Sequence, residues 1–323
     1  MTPKISVLVP AYNVAPWIST TLDSILAQSY TNLEIIVIDD GSTDHTGAIL
    51  DMYASRDDRL LVIHQDNGGL VAAREIGIAN ATGEYVTFVD GDDTVEADMY
   101  ERLINNALKY DAEISHCGMA FDFPDGHTES HYGTGTVLVQ ESAEGVQELL
   151  EGVRMEPSLC NKLYARHLVE DSCLDKSVIN NEDLLRNFTL FSRANRSVFE
   201  DFCGYHYYQR PGSMSKNSVK VVQSTKHILQ ARKLILDNCD EQLRPYAMRL
   251  WLSTYVNFIN QYYLSEDSDI CEFYAHCRAI LKEQRRNIRY LVKRQQIAAY
   301  LQLYMPWLHH VIYQLYKSRR NTV

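Results

Sequence analysis

The feature that most constrains the fold is a regular alternation of strand-like and helix-like segments in the first hundred residues. Short apolar runs at 4–10, 33–40, 60–64 and 85–90 are typical of strands, and the segments between them carry apolar residues at helical spacing. Strands that alternate with helices predict βαβ units, because parallel neighbours need a long crossover connection. We therefore expect an α/β fold with a mainly parallel sheet.

Polar side chains follow the ends of three of these predicted strands. Tyr12 and Asn13 come after the first strand, Asp39 and Asp40 end the second, and Asp90 ends the fourth. In open α/β sheets the carboxyl ends of the strands form the ligand crevice. The sequence therefore predicts that these side chains share one rim.

The fourth strand runs into a dense acidic cluster, Asp90-Gly91-Asp92-Asp93. Carboxylates this close repel one another unless a cation lies among them. Mg²⁺ or Mn²⁺ commonly takes one or two carboxylates together with substrate phosphates, and Gly91 allows a close backbone approach. We predict a metal-diphosphate site; a solvated turn after an edge strand is the alternative. The glycine and glutamate of a calcium loop are missing.

Several other classes of site are excluded by missing motifs. The chain has neither a GxGxxG turn nor a GxxxxGK[ST] loop, so it lacks the dinucleotide and P-loop signatures. Its seven cysteines are scattered without a CxxC pair, which favours neither a disulfide framework nor a zinc site and suits a reducing cytoplasm. We expect no secretion signal and no transmembrane span.

The net charge of −11 conceals a strong asymmetry along the chain. Residues 1–219 carry 15 basic and 34 acidic side chains, a balance of −19, whereas residues 220–323 carry 16 and 8, a balance of +8. Binding to a phosphate backbone requires a basic footprint. The acidic part therefore argues against nucleic acid as a partner.

Five sequence blocks carry a family resemblance. They are P-A-Y-N at 10–13, E-I-I-V-I-D-D-G-S-T-D at 34–44, N-G-G-L-V-A-A-R at 67–74, A-T-G-E-Y-V at 81–86 and V-D-G-D-D at 89–93. In this order they resemble the family 2 inverting glycosyltransferases, and they cover nearly all of residues 4–100. The resemblance implies a nucleotide-sugar-binding α/β domain of the GT-A type.

The resemblance also implies roles for individual residues. Pro10 and Tyr12 would line a uracil pocket, Asp40 would pair with the base, and Arg74 would meet the diphosphate. Asp90 would lie near the ribose and Asp92 would ligate Mn²⁺ or Mg²⁺, with Asp90 as a second candidate ligand. The nucleotide-binding set is completed by Asn13, Gly69 and Gly91. Turn or strand-end roles for Pro10 and Asn13 stay open.

Two later segments complete the predicted site. Glu182 and Asp183 open a helix, where acidic residues suit the helix dipole. They resemble the family's base motif, which makes Asp183 the catalytic base and Glu182 its support. The segment 205–215 resembles the family's closing loop; Arg210, Ser213 and Ser215 are its diphosphate-binding candidates. His206 is a candidate metal ligand or, alternatively, a core histidine.

The remainder of the chain is predicted to be all-α. We expect a catalytic domain over 1–218, with a nucleotide-binding half at 1–100 and an acceptor half at 101–218, and a helical domain over 219–323. Residues 278–323 hold ten Lys or Arg and one acid, interleaved with aromatic residues. A basic helix of this kind suits an anionic membrane surface. Helix packing within the domain or in a homodimer is the alternative.

Together these features predict a metal-dependent enzyme that moves a sugar from a UDP-sugar donor to a saccharide or lipid-linked acceptor. The expected setting is surface-polysaccharide or glycolipid synthesis, in the cytoplasm or at the inner face of the cell membrane. A nucleotidyltransferase that makes sugar nucleotides is one alternative, although no glycine- and lysine-rich loop follows the first strand. A non-catalytic carbohydrate-binding scaffold is the other.

Overall fold

The chain forms two compact units. The computed structural model describes residues 2–170, 172, 181–210, 221–263 and 265–320, without the side chains of 315–320. One unit comprises Met1–Ile179 with Arg186–Lys216, and the other comprises Asn180–Leu185 with Asn217–Val323. The predicted domain boundary at residue 218, like Ser213 and Ser215, lies outside the described residues.

The α/β unit is built on one mixed sheet, whose strand order is β3-β2-β1-β4-β9-β6-β10-β5, with β7 beside β6 and β8 beside β10. In its described part the strands are β1 (Ile5–Ala11), β2 (Leu33–Asp40), β3 (Leu60–Gln65), β4 (Tyr85–Phe88), β5 (Thr94–Val95), β6 (Ile114–Asp122), β7 (Thr128–Ser130), β8 (Val137–Glu141), β9 (Lys162–Ala165) and β10 (Arg196–Tyr208).

The first four strands form the predicted parallel half of the sheet. β1 pairs in parallel with both β2 and β4, and β2 pairs in parallel with β3. The second half is mixed, because β9 lies antiparallel between β4 and β6, whereas β6 and β10 are parallel. The expected α/β fold with a mainly parallel sheet is confirmed.

Helices cover the sheet and build the second unit. In the described residues they are α1 (Ile18–Leu26), α2 (Thr46–Ala54), α3 (Leu70–Asn80), α4 (Met99–Tyr110), α5 (Ser142–Glu151), α6 (Arg166–Glu170), α7 (Glu182–Arg193), α8 (Val221–Asn238), α9 (Arg244–Tyr262), α10 (Ser268–Glu283), α11 (Lys293–Tyr304) and α12 (Pro306–Arg320). None of them is both long and apolar enough to cross a bilayer, within the part of the chain that the structure describes.

Burial explains why the central strands form. Every residue of β1 is buried, and β2 is buried except at Glu34, so both strands are covered on two faces. Parallel strands of this kind read as continuous apolar runs rather than as alternating ones. Helix α3 packs Gly77 against Leu8 and Ile38, where a Cβ would lie only 3.0 Å from the Ile38 side chain.

Two helix starts are set by local contacts. Helix α2 begins after His45, and the Asp44 carboxylate accepts from the Thr46 amide at 2.9 Å. Before α11, a 3₁₀ helix at Asn287–Tyr290 is followed by extended Leu291 and Val292.

A partly buried carboxylate, Glu34, joins the amino-terminal ends of β1, β2 and β4. Glu34 accepts hydrogen bonds from the Ser6 hydroxyl (2.5 Å), the Thr82 amide (2.6 Å) and the Gly83 amide (3.0 Å). Burial acts to raise its pKa, but these hydrogen bonds outweigh burial and lower the pKa of Glu34 to about 2. Gly83 is required here because a Cβ would lie 2.7 Å from the Lys4 carbonyl oxygen.

We expect Glu34→Gln to destabilise the α/β unit, because the amide turns an NH₂ group toward groups that themselves donate. After allowance for partial solvation, the free energy of unfolding should fall by about 1–2 kcal/mol near neutral pH. A lowered folded pKa stabilises the fold above the unfolded value near 4.5, and this contribution is lost as pH falls toward 2.

Urea denaturation of both proteins across this pH range measures the effect. The difference between them should shrink between pH 4.5 and 2. Asp58→Asn, at an exposed carboxylate of the same unit, is the control and should leave stability nearly unchanged. A difference that is constant with pH would contradict the assignment.

Candidate active site

Strand order brings the predicted site residues to one rim. β1 lies between β2 and β4, and Ala11 pairs with Asp39, so the carboxyl ends of β1 and β2 finish side by side. Val89 continues beside β1 through its amide, which donates to the Leu8 carbonyl oxygen at 3.0 Å. The acidic cluster that follows Val89 therefore emerges on the same rim as Tyr12 and Asp40.

Asn13 ties the loop after β1 to the loop after β2. Its φ of 52° places it in the left-handed region, which asparagine tolerates better than most residues. The Asn13 side-chain oxygen accepts from the Thr43 amide at 2.8 Å, and the Asn13 amide donates to the Ser42 hydroxyl at 3.1 Å. Pro10 is buried within β1, whereas Tyr12 is 47% exposed. The loop thus presents an aromatic ring beside a fixed backbone.

Asp40 organises the loop before α3. Its carboxylate accepts from the Gln65 side chain (2.6 Å) and from the amides of Gly68 (2.8 Å) and Gly69 (2.9 Å). Gly69 has a φ of +84°, a conformation that favours glycine. The buried carboxylate therefore fixes the backbone at the start of α3, in addition to its predicted role at the base, which stays a prediction.

Arg74 is held against the acidic cluster. Its side chain is 2% exposed, and its guanidinium donates to an Asp90 carboxylate oxygen at 3.2 Å. A buried arginine that faces a rim of carboxylates is a fixed positive charge, since guanidinium stays protonated in proteins. This position suits the predicted contact with a diphosphate.

Asp93 and Tyr205 form a buried link that was absent from the predicted site. The Tyr205 hydroxyl donates to Asp93 at 2.6 Å and accepts from the Asp90 amide at 3.2 Å. The Tyr208 amide donates to the other Asp93 oxygen at 2.9 Å. Burial, and then the charges of Asp90 and Asp92, raise the pKa of Asp93 well above its usual value. Asp93 therefore anchors β10 to the acidic cluster.

Arg210 lies directly on Asp92. Its Nε donates to an Asp92 carboxylate oxygen at 2.5 Å, and its guanidinium lies 4.8 Å above the centre of the Trp17 ring. Arginine stacks well on aromatic faces, so Trp17 helps to orient it. The predicted diphosphate-binding arginine is thus already at the rim.

His206 lies between two other carboxylates. Its Nδ1 is 3.0 Å from Asp122, and its Nε2 is 2.9 Å from Glu96. Both ring nitrogens therefore have partners outside the Asp90-Asp92 pair. The role of His206 as a metal ligand stays a prediction.

The rim residues fit a hard divalent cation. Among the described residues no three His, Cys, Asp or Glu side chains are grouped to hold a metal ion by themselves. Mg²⁺ and Mn²⁺ sites of nucleotide enzymes need only one or two carboxylates, since substrate phosphates supply further oxygens. Asp90 and Asp92 supply this donor set, and their charges, after burial, help to raise the pKa of the neighbouring Asp93 carboxyl.

The predicted base motif opens α7 in the helical unit. Glu182 and Asp183 occupy its first turn. Asn181 just before it has a φ of 70° and accepts from the half-buried Arg232 at 3.2 Å. Arg232 also donates to the Thr254 hydroxyl at 2.8 Å, so it ties this first turn to α8 and α9. Loss of hydration lowers the pKa of Arg232 to about 10.

Comparisons with known proteins find similarity to glycosyltransferases. Residues 6–169 match the model of glycosyl transferase family 2. The chain is 37% identical to the uncharacterized glycosyltransferase EpsJ of Bacillus subtilis over 221 residues, which are 67% of this chain and 64% of EpsJ. It is 35% identical to the glycosyltransferase GlyA of Streptococcus pneumoniae over 66% of this chain and 32% of GlyA. The match therefore spans less than two thirds of either relative.

A solved structure has the same fold over nearly the whole chain. A fragment of S. aureus TarS in complex with UDP-GlcNAc superposes with a TM-score of 0.74 and 20% identity, covering 99% of this chain and 92% of that one. The family match covers the rim residues Pro10 to Asp93 and ends before Glu182 and Arg210. On this match the chain belongs to glycosyl transferase family 2.

Proposed function

We propose that the protein transfers a hexose or N-acetylhexosamine from a UDP-sugar to a hydroxyl group of a saccharide or lipid-linked acceptor. The observation that carries this proposal is the shared rim, where Asp40, the Arg74-Asp90 pair and the Arg210-Asp92 pair meet at the carboxyl ends of β1, β2 and β4. We assign these residues to contacts with the base, the ribose and the diphosphate of the donor.

Donor binding is assigned to the first part of this rim. Exposed Tyr12 offers a ring for the uracil, Pro10 is the other residue assigned to this pocket, and Asp40 and Asn13 fix the surrounding backbone. The TarS structure, which contains UDP-GlcNAc, has a similar fold and supports a UDP-sugar as donor. Gly69 has open space at its Cβ position and allows close approach of the nucleotide, whereas a Cβ on Gly91 would lie 3.2 Å from the Pro10 carbonyl oxygen, so Gly91 lets the acidic loop pack against β1.

Charge on the departing diphosphate is offset by the chain's own cations. Arg74 is fixed by burial, and Arg210 lies at the rim beside Asp92, where we assign it to the diphosphate. Asp92 and Asp90 would hold Mn²⁺ or Mg²⁺. When bound there, the ion would supply Lewis-acid stabilisation of the leaving group, an effect worth several kcal/mol.

The acceptor hydroxyl is assigned to Asp183. In an inverting transfer one carboxylate removes the acceptor proton while the acceptor oxygen attacks the anomeric carbon on the face opposite the leaving group. Glu182, beside it in the first turn of α7, would support this carboxylate electrostatically. The new glycosidic bond forms as the bond to UDP breaks, and the proton remains on Asp183.

The setting we propose is the synthesis of a surface polysaccharide or glycolipid in the cytoplasm. The relatives EpsJ and GlyA are glycosyltransferases of bacteria, which supports this setting. A panel of nucleotide sugars, incubated with the full chain and Mn²⁺, tests the proposal through UDP release and ligand-induced thermal shift. Release of a nucleotide other than UDP, or of none, would contradict it.

Asp92→Asn should reduce UDP-sugar turnover by about a hundredfold or more, because it removes a charged oxygen donor for the cation. The thermal shift produced by Mn²⁺ with UDP should also decrease. Asp58→Asn is the control at an exposed carboxylate of the same unit and should retain wild-type turnover. Undiminished turnover in the Asp92 variant would remove this residue from the site.

Asp183→Asn should preserve UDP binding and reduce sugar transfer by roughly 10²- to 10⁴-fold, the usual contribution of a general base. Isothermal titration with UDP and a transfer assay separate the two effects. Glu182→Gln should retain more activity than Asp183→Asn, since its role is supporting. A larger loss at Glu182 than at Asp183 would reverse the assignment.

A further inference from the structure

Exposed apolar side chains are concentrated at the end of the helical unit. Among the described residues, eight of the fifteen large hydrophobic side chains that are exposed lie between Val292 and Ile312. Folded proteins seldom leave such a concentration uncovered unless it contacts a partner. This segment therefore has the properties of an interaction surface.

The exposed side chains follow helical spacing on α11 and α12. Ile297, Tyr300 and Tyr304 recur at intervals of three and four along α11, and Trp307 and Val311 are four apart on α12. Side chains at these intervals share one face of a helix. Three of the five are Tyr or Trp, whose amphipathic rings favour the level of lipid headgroups. We call Ile297, Tyr300, Tyr304, Trp307, Val311 and Ile312 the apolar face.

The surroundings of the apolar face are strongly basic. Residues 278–323 contain ten Lys or Arg and a single acid, Glu283, which leaves a net charge of +9. Six of these cations are exposed: Lys282, Arg285, Arg286, Arg289, Lys293 and Arg294. A second copy would bring two segments of the same sign together, at an electrostatic cost, whereas an anionic surface would be attracted.

A cleft of about 410 Å³ opens beside the apolar face. Ile297, Leu301 and Ile312 line it, and its lining also includes the amides of Asn257 and Asn260. A lining that combines apolar and amide groups suits an amphiphile, whose chain is apolar and whose linkage accepts hydrogen bonds. The cleft therefore extends the apolar face inward with a lining that a lipid can use.

We propose that the apolar face docks on an anionic phospholipid surface, with the exposed cations between Lys282 and Arg294 bound to the headgroups. A helix that has apolar and aromatic side chains on one side and cations around them can lie in the interfacial plane without crossing the bilayer. This inference goes beyond the proposed sugar transfer and does not depend on it. It identifies the partner surface from residues that lie outside the rim.

Co-sedimentation of the full chain with vesicles tests the proposal. Vesicles of phosphatidylcholine mixed with phosphatidylglycerol should bind the protein, vesicles of phosphatidylcholine alone should bind far less, and added NaCl should release it. The double substitution Tyr304→Ala with Trp307→Ala should weaken binding roughly tenfold, because two interfacial rings are lost. Both side chains are more than 60% exposed, so the fold should be retained.

Leu108→Ala is the matched control, since Leu108 is 54% exposed on α4 of the other unit and its loss should leave vesicle binding unchanged. The proposal would be overturned if the wild-type protein bound vesicles that contain phosphatidylglycerol no better than vesicles of phosphatidylcholine alone. So would a lipid-free dimer, detected by light scattering, that the double substitution converts to a monomer. Turnover of a UDP-sugar on a soluble saccharide is measured separately, so failure of either proposal leaves the other standing.

Discussion

The structure depends on how the chain accommodates three carboxylates within four residues at the end of a buried strand. The buried Asp93 carboxylate accepts hydrogen bonds from the Tyr205 hydroxyl and the Tyr208 amide, whereas Asp90 and Asp92 face the rim and pair with Arg74 and Arg210. The inward carboxylate is thus held by neutral donors and the two rim carboxylates by guanidinium groups. Buried charge is costly unless it is paired or hydrogen-bonded, so this division is what allows the cluster to exist on a folded sheet.

This arrangement of the three carboxylates also determines how firmly the two arginines of the site are held. Arg74 is fixed by its burial on α3, while Arg210 follows the last residue of β10 by two positions, and its side chain contacts Asp92 and the Trp17 ring. Arg74 is therefore a fixed part of the fold, whereas Arg210 lies at its edge. The Tyr205-Asp93 link keeps β10 in register with the rim, so Arg210, which follows β10, has a defined position.

Much of the α/β fold was predictable from the sequence, because the hydrophobic pattern of each segment agrees with the element that it forms. The helical spacing between the apolar runs predicted helices there, of which α3 is one, and the apolar runs predicted β1, β2 and β4, as buried parallel strands are nearly continuous in hydrophobicity. Contacts between residues distant in the chain were not predictable. Tyr205 reaches Asp93 across 112 residues, and the bulges that keep β10 a single strand appear only in its pairing with β6. The family resemblance supplied the roles of Asp92 and Asp183, which spacing alone left open.

The Glu34 junction lies at the amino-terminal ends of β1, β2 and β4, whereas the acidic cluster lies beyond their carboxyl-terminal ends. The same three strands therefore carry a structural junction at one edge and the candidate site at the other. Substitutions at sites that share no partners usually act additively. Changes at the two edges should consequently alter stability and site chemistry as separate traits of one sheet, and Gly83 is a junction position where a Cβ would lie 2.7 Å from the Lys4 carbonyl oxygen.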